Sequence, residues 1–248
     1  MIALHDVHKT FGSNPVLRGV TLEIASGTSM VIIGGSGTGK SVTLKCILGL
    51  VTPDKGTITL DGQDVTKVER EAFLARFGML FQGAALFDSL PVWQNVAFRL
   101  LRGRLRKPRA EAREIAIEKL RRVGLTPDQA DKFPAELSGG MQKRVGLARA
   151  ICAEPEIIFF DEPTTGLDPI MAGVINDLIR EIVTEMGVTA MTITHDMSSV
   201  RAIADDVAML HDGVIKWNGP VSDMDNSGDP HLEQFIHGRA EGPIEAVR

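Results

Sequence analysis

The run Gly34-Gly35-Ser36-Gly37-Thr38-Gly39-Lys40-Ser41 limits the fold of this chain more than any other stretch. It fits G-x-x-x-x-G-K-[ST], a pattern that has meaning only between a strand and a helix. Both flanks are present. Ser29–Ile33 is a short apolar strand, and the pattern from Lys40 to Leu50 places Leu44, Ile47 and Leu48 on one helix face. The glycines allow the backbone to curl so that successive N–H groups point inward at phosphate oxygens. The positive end of the helix starting near Lys40 adds to that pull. Lys40 is suited to β- and γ-phosphates, and the Ser41 hydroxyl to Mg²⁺. Taken alone, the loop says phosphate binding and no more.

Around it, strands Ala3–Lys9 and Val16–Ile24 flank Gly12-Ser13-Asn14-Pro15 and read as a hairpin. Strand Thr57–Leu60 ends at an Asp61-Gly62 turn. From about Gln82 to Pro134 the texture becomes helical, with Ala112, Ile115, Ala116, Leu120 and Val123 spaced for one helix face. Strand–helix alternation then returns: a helix to Ala153, strand Ile157–Phe160, helix Met171–Met186, strand Thr189–Thr194 and a helix near Ser198–Ala204. A last strand pair, Val207–His211 and Val214–Trp217, is joined by Asp212-Gly213, a strong hairpin signal. Such alternation predicts an α/β fold with a mostly parallel sheet, an antiparallel β part and an inserted helical lobe. The expected organisation is one domain over residues 1–237, with the helical lobe at about 83–137, and a tail at 238–248. A short helix pattern (Leu232, Phe235, Ile236) precedes that tail, which is expected to leave the core and pack on a partner.

Composition narrows the options. The 248 residues carry a formal net charge of -5, which lends nothing to a nucleic-acid role. The two cysteines, Cys46 and Cys152, lie in apolar helical patterns and read as small buried hydrophobes. Met1-Ile2-Ala3-Leu4-His5-Asp6 reaches a charge at once, so no leader is expected, and no apolar run approaches the roughly 20 residues that span a bilayer. With so few cysteines, a cytosolic setting is expected. The basic segment Arg99–Arg113 reads as the solvated face of a loop and helix start, with membrane or nucleic-acid contact as the alternative.

Ile157-Ile158-Phe159-Phe160-Asp161-Glu162 ends an apolar strand in two carboxylates. The C-terminal edge of a parallel sheet is where ligands bind. Asp161 is placed to anchor Mg²⁺ and Glu162 to polarise an attacking water, the two needs of phosphoryl transfer.

Leu137-Ser138-Gly139-Gly140-Met141-Gln142 precedes a helix, with Ser138 as its N-cap and two glycines permitting close backbone approach. In this order with the phosphate loop and Asp161-Glu162, it resembles the signature of ABC-type ATPases. The resemblance spans nearly the whole chain: Gln82 stands as the Q-loop glutamine, Asp168 in Thr165-Gly166-Leu167-Asp168 as the D-loop, His195 as the switch histidine, and Phe11 where an aromatic ring meets adenine. It implies a nucleotide-binding fold of the P-loop class and an ATP-hydrolysing half that works with a second copy of itself. Glu162, His195 and Lys40 are then catalytic. Phe11, Gly34, Gly35, Ser36, Gly37, Thr38, Gly39, Lys40, Ser41, Val42 and Gln82 contact ATP in one copy, and Ser138, Gly139, Gly140, Gln142 and Asp168 reach it from the other. Ser41, Gln82 and Asp161 hold Mg²⁺. Three positions depart from the common template: Phe11 replaces a Tyr, Met141 replaces a Gln with Gln142 as its substitute, and Val42 replaces a Thr.

Three classes compete. A small P-loop kinase or GTPase fails on Ser138-Gly139-Gly140. A soluble ABC ATPase acting on DNA or ribosomes lacks support, because no long insertion or second ATPase half is present. A transporter subunit remains. Phe77-Gly78-Met79-Leu80-Phe81-Gln82-Gly83-Ala84-Ala85-Leu86-Phe87 and Thr194-His195-Asp196-Met197 are similar to the Mla-type phospholipid transport ATPases. That resemblance implies a homodimer on the cytoplasmic face of the inner membrane, held there by integral-membrane permease subunits. It also implies a periplasmic lipid-binding protein and a STAS-domain regulator in the same system, and no nucleic-acid partner. Leu86, Phe87, Val92 and Trp93 read equally as a groove for the permease or as core. An importer of amino acids or other small solutes is the alternative.

Overall fold

The computed structural model describes residues 1–245; positions 246–248 of the expected tail lie outside them. The strands are β1 (Ile2–Phe11), β2 (Asn14–Ile24), β3 (Ser29–Ile33), β4 (Lys55–Leu60), β5 (Gln63–Asp64), β6 (Phe77–Leu80), β7 (Ile157–Asp161), β8 (Thr189–Ile193), β9 (Asp206–His211) and β10 (Val214–Pro220). The α-helices are α1 (Lys40–Ile47), α2 (Arg70–Ala75), α3 (Val92–Val96), α4 (Arg109–Arg122), α5 (Gly139–Ile151), α6 (Pro169–Met186), α7 (Met197–Ile203) and α8 (Pro230–His237). The chain divides into two compact units, one of residues 1–68 with 193–248 and one of residues 69–192.

In the first unit, β2-β1-β4-β5 form an antiparallel sheet. Leu4 stands opposite both Leu22 and Ile58, and all three side chains are buried. The order β10-β9-β3 makes a second group, with β3 and β9 parallel and β9 and β10 closed by the expected hairpin. Asp212 and Gly213 both have positive φ there (50° and 74°), as a tight two-residue hairpin requires. Arg18 of β2 anchors that turn: its guanidinium bonds the Asp212 carboxylate at 2.9 Å and its N–H bonds the Gly213 carbonyl at 2.8 Å. All five residues of β3 are buried, so the strand feeding the phosphate loop reads as an uninterrupted apolar run.

Beyond β10, α8 is capped by Asp229, which accepts from the amides of His231 and Leu232. Residues 239–244 stay against it. Gln234, only 6% exposed, donates to the carbonyls of Arg239 (3.1 Å) and Ile244 (3.0 Å) and accepts from the Ile244 amide (2.7 Å). A buried amide side chain must be satisfied, and here residues 239–244 do that by folding back.

In the second unit the strands run β8-β7-β6, with β6 and β7 parallel and Phe77 opposite Ile157. Of the five residues spaced for one face, Ala112, Ala116 and Leu120 in α4 and Val123 at its C-cap are wholly buried, and Ile115 is half-buried. The stretch expected to be helical holds only α3 and α4, joined by 3-10 turns and loops. Asn95, fully buried, braces one of them: it accepts from the Phe87 amide (2.7 Å) and donates to the Leu90 carbonyl (2.9 Å). Helix α2 had no sequence forecast; Glu69 caps it by accepting from the amides of Glu71 and Ala72. The basic segment is mostly solvated, with Arg102 over the Phe98 ring at 4.2 Å and Arg109 over Trp93 at 4.8 Å. Arg99 is the exception. It is turned inward to the carbonyls of Leu74 (2.9 Å) and Phe77.

Both cysteines are buried, and burial pushes the Cys46 thiol up to about 11 and the Cys152 thiol up to about 12. Among the described residues, no helix is long and apolar enough to cross a membrane.

Candidate nucleotide site

The first unit carries the phosphate loop. It leaves β3 at Gly34 (φ 149°), where an added Cβ would lie 2.2 Å from the Leu210 carbonyl oxygen on neighbouring β9. No other residue fits there without moving the sheet. The loop closes at Gly39, the N-cap of α1, which has no side chain to cover the first-turn N–H groups. Lys40 folds back over the loop, its ammonium donating to the carbonyls of Gly34 and Gly35 at 2.7 Å each. That holds the cation against the backbone at the start of the loop. Gly35 and Thr38 are half-buried, and Ser36, Gly37 and Ser41 are exposed. Val42 is half-buried on α1.

Phe11 ends β1 with its ring 47% exposed. An apolar ring left in water at a strand end offers a face for stacking. His195 is exposed just after β8; the preceding Thr194 is buried and donates its amide to the Ile32 carbonyl of β3 at 3.3 Å. The histidine is therefore anchored through its backbone to the strand that launches the phosphate loop. Asp196, next in sequence, caps α7. Burial alone would raise its carboxyl pKa, but hydrogen bonds from Ser198 and Ser199 outweigh that and hold it below the usual carboxylate range.

The second unit carries the acids and the signature. Asp161 is the last residue of β7, and Glu162 follows it at φ 48°. A non-glycine residue in the left-handed region carries strain on the order of 1–3 kcal/mol, and such strain clusters at functional sites. The Thr165 hydroxyl holds the Glu162 carboxylate at 2.9 Å. Ser138 caps α5, its hydroxyl accepting from the Met141 amide at 3.3 Å; Ser138 and Gly139 are exposed and Gly140 is buried. Gln142 turns inward. Its amide donates to the carbonyls of Pro134 (2.9 Å) and Leu137 (3.3 Å), bracing the chain ahead of the signature. Asp168 is exposed and caps α6, accepting from the amides of Ile170 and Met171 at 3.0 Å. Gln82 lies just beyond β6, which ends at Leu80 and leaves Phe81 42% exposed. Of the four residues read as groove or core, Val92 and Trp93 are buried, Leu86 is half-buried and Phe87 is 43% exposed.

Two cations of α5 were not read from the sequence. Lys143, 5% exposed, donates to the carbonyls of Gln82 and Glu162, the latter at 3.2 Å. Burial lowers its pKa, while the Glu162 and Asp161 carboxylates act against that shift. Arg149 donates to the carbonyls of Ala84 and Ala85, the latter at 2.7 Å. A basic residue in an otherwise apolar helix face was the available signal.

A family profile for ABC transporters matches residues 17–165. A probable ribonucleotide transport ATP-binding protein, mkl, of Mycobacterium leprae is 42% identical over 246 residues, covering 98% of this chain and 70% of that one. The intermembrane phospholipid transport system ATP-binding protein MlaF of Escherichia coli K12 is 38% identical over 247 residues, covering 98% of this chain and 91% of that one. The chloroplastic protein trigalactosyldiacylglycerol 3 of Arabidopsis thaliana is 39% identical over 262 residues, covering 98% and 75%. Among solved structures, a dimeric ATP-binding cassette in a post-hydrolysis state, bound to ADP and Pi, superposes with a TM-score of 0.80 at 30% identity, covering 89% of this chain and 99% of that one. With its phosphate loop, acidic strand end and signature helix in family order, the chain belongs to the ABC transporter family and is an ABC-type ATPase with the α/β cassette fold.

Proposed function

We propose that the chain powers phospholipid transport between membranes, as one of two copies docked on integral-membrane permease subunits at the cytoplasmic face of the inner membrane. The observation that carries this reading is the 38% identity to the phospholipid transport ATP-binding protein, which runs through 98% of this chain and 91% of that one. A second reading has its own support: the mycobacterial relatives are named for ribonucleotide transport at 42% identity. Mass spectrometry of the complex purified with its permease separates the two. Co-purifying phospholipid supports the first, and nucleotide cargo without lipid overturns it. An amino-acid cargo would point to the importer alternative.

The residues present fit ATP and Mg²⁺. The loop from Gly34 through Ser36, Gly37 and Thr38 to Gly39 offers amides and a glycine-capped helix end, Lys40 supplies the cation, and Ser41 and Val42 begin the helix. Phe11 offers the stacking face for adenine. Among the described residues no three His, Cys, Asp or Glu side chains cluster into a metal cage. Mg²⁺ needs none, since it is held by one or two carboxylates together with substrate phosphates. Asp161, the Ser41 hydroxyl and Gln82 would supply the protein ligands, and the ion would neutralise charge on the phosphate oxygens. Glu162, its carboxylate oriented by Thr165, is the base that takes a proton from the attacking water. His195 contacts the γ-phosphate. Ser138 and the Gly139 and Gly140 amides of a second copy complete the site. Gln142 serves this set by bracing the preceding chain, and Asp168 links the two copies. A periplasmic lipid-binding protein and a STAS-domain regulator belong to the proposed system.

Glu162→Gln is expected to bind ATP, to lose hydrolysis by roughly 100-fold or more, and to elute from a sizing column as a dimer when ATP-loaded. An ATP-loaded variant that remains monomeric with its permease present would remove the paired arrangement.

A further inference from the structure

Helix α5 begins at the signature and grips two other segments of its own unit. Near its start, the buried Lys143 ammonium bonds the carbonyl of Gln82 and, at 3.2 Å, that of Glu162. Further along, Arg149 bonds the carbonyls of Ala84 and Ala85. Ala84 (φ 59°), Ala85 (φ 46°) and Glu162 (φ 48°) are all non-glycine residues at positive φ. Left-handed backbone of this kind persists only where its surroundings over-determine it, and here α5 supplies hydrogen bonds to each. Gly146 lets the helix come close: a Cβ there would lie 2.7 Å from Leu80 and 3.2 Å from the Ala84 Cβ. A lysine so deeply buried is unfavourable unless its ammonium is hydrogen-bonded, and no aliphatic side chain could bond two carbonyls from different segments.

We infer that Lys143 is a positioning residue that joins the backbone of Gln82 to that of Glu162, so that displacement of residues 82–85 is passed to the hydrolytic carboxylate through one ammonium. The inference rests on the reading of Glu162 as the base. Arg149 holds the same loop without reaching Glu162, which makes it the internal control. A side chain that only filled space would be replaced without loss by methionine, which is similar in length and apolar.

Amide hydrogen exchange of the nucleotide-free chain, with steady-state ATP hydrolysis by the permease complex, tests this. For Lys143→Met, exchange is expected to rise at residues 82–85 and 162–165 and to stay at the wild-type level elsewhere. Its kcat should fall on the order of 100-fold, the size of effect that misplacing a catalytic group produces, with KM for ATP changed less than about threefold. Lys143→Arg should recover much of that kcat. Lys143→Gln, which keeps a donor and drops the charge, serves if the methionine variant does not fold. Arg149→Met should raise exchange at residues 84–85 and not at 162–165. Wild-type kcat in Lys143→Met, or exchange that rises evenly through residues 69–192 with KM and kcat both impaired, would overturn the inference. Glu162→Gln is run alongside: wild-type hydrolysis in that variant removes the role of Glu162, while the exchange data still decide whether Lys143 links the two segments.

Discussion

At Gly34 the backbone conformation and the Leu210 carbonyl together exclude a side chain. Gly34→Ala is expected to destabilise the fold by on the order of 1–3 kcal/mol and to weaken ATP binding, read from thermal melts with and without nucleotide. Ser138 answers a different question. Ser138→Arg should leave nucleotide affinity near wild type and abolish hydrolysis, because its side chain is exposed and lies outside the phosphate loop; equal loss of both would remove its role toward a second copy. Residues of this kind were legible because their chemistry is written in fixed spacing: four glycines, a lysine and a serine have few uses in that order. Lys143 and Arg149 were not, because what they bond is backbone carbonyl, which any sequence provides. Gln142 was legible as a polar neighbour of Met141, and only side-chain geometry shows its amide turned back to Pro134 and Leu137.

Among elements, capping separates structure from function. Asp168 holds the first turn of α6 through two amides. Asp168→Ala should cost about 1 kcal/mol of stability, and Asp168→Asn, an equally good cap, very little. If Asp168 also links two copies through its charge, the asparagine variant will melt like wild type and hydrolyse ATP more slowly. Asp196 makes the corresponding contact at α7, with a carboxyl held below its usual pKa by the Ser198 and Ser199 hydrogen bonds despite partial burial. A depressed folded pKa gives stability that is present above the unfolded value of about 3.9 and lost as pH falls through the folded one. The protection factors of the α7 amides, taken against the intrinsic exchange rate at each pH, should therefore be full at neutral pH and fall in acid, and Asp196→Asn should flatten that dependence. Element boundaries were readable where apolar runs end in glycine or acid, as at β3 and β7. They were not readable at α2, where a glutamate does the work of the usual small capping residue, nor in the stretch after Gln82. There Asn95 and a series of 3-10 turns replace the helices that composition suggested. The tail followed the same logic: Gln234 is an ordinary polar residue in sequence and becomes a clasp only because its burial demands three partners.

At the level of the whole molecule, the proposed activity belongs to two copies. A ligand that binds only the paired form stabilises it by mass action. The melting temperature of Glu162→Gln should thus rise with protein concentration when ATP is present and stay level without it, as differential scanning calorimetry over a dilution series would show. The α/β class and its mostly parallel core were legible from alternation alone, since each apolar strand needs helical cover. The cargo was not, because an ATPase that drives a permease has no need of a cargo pocket of its own. Cys46 and Cys152 are buried, with thiols at about 11 and about 12, so neither forms thiolate to any useful extent near neutral pH. The native chain is therefore expected to react little with maleimide. A cysteine introduced at Ile170, which is 80% exposed, can be spin-labelled selectively, and distances between the labels of two chains can be followed through the ATP cycle without first stripping out the natural sulfurs.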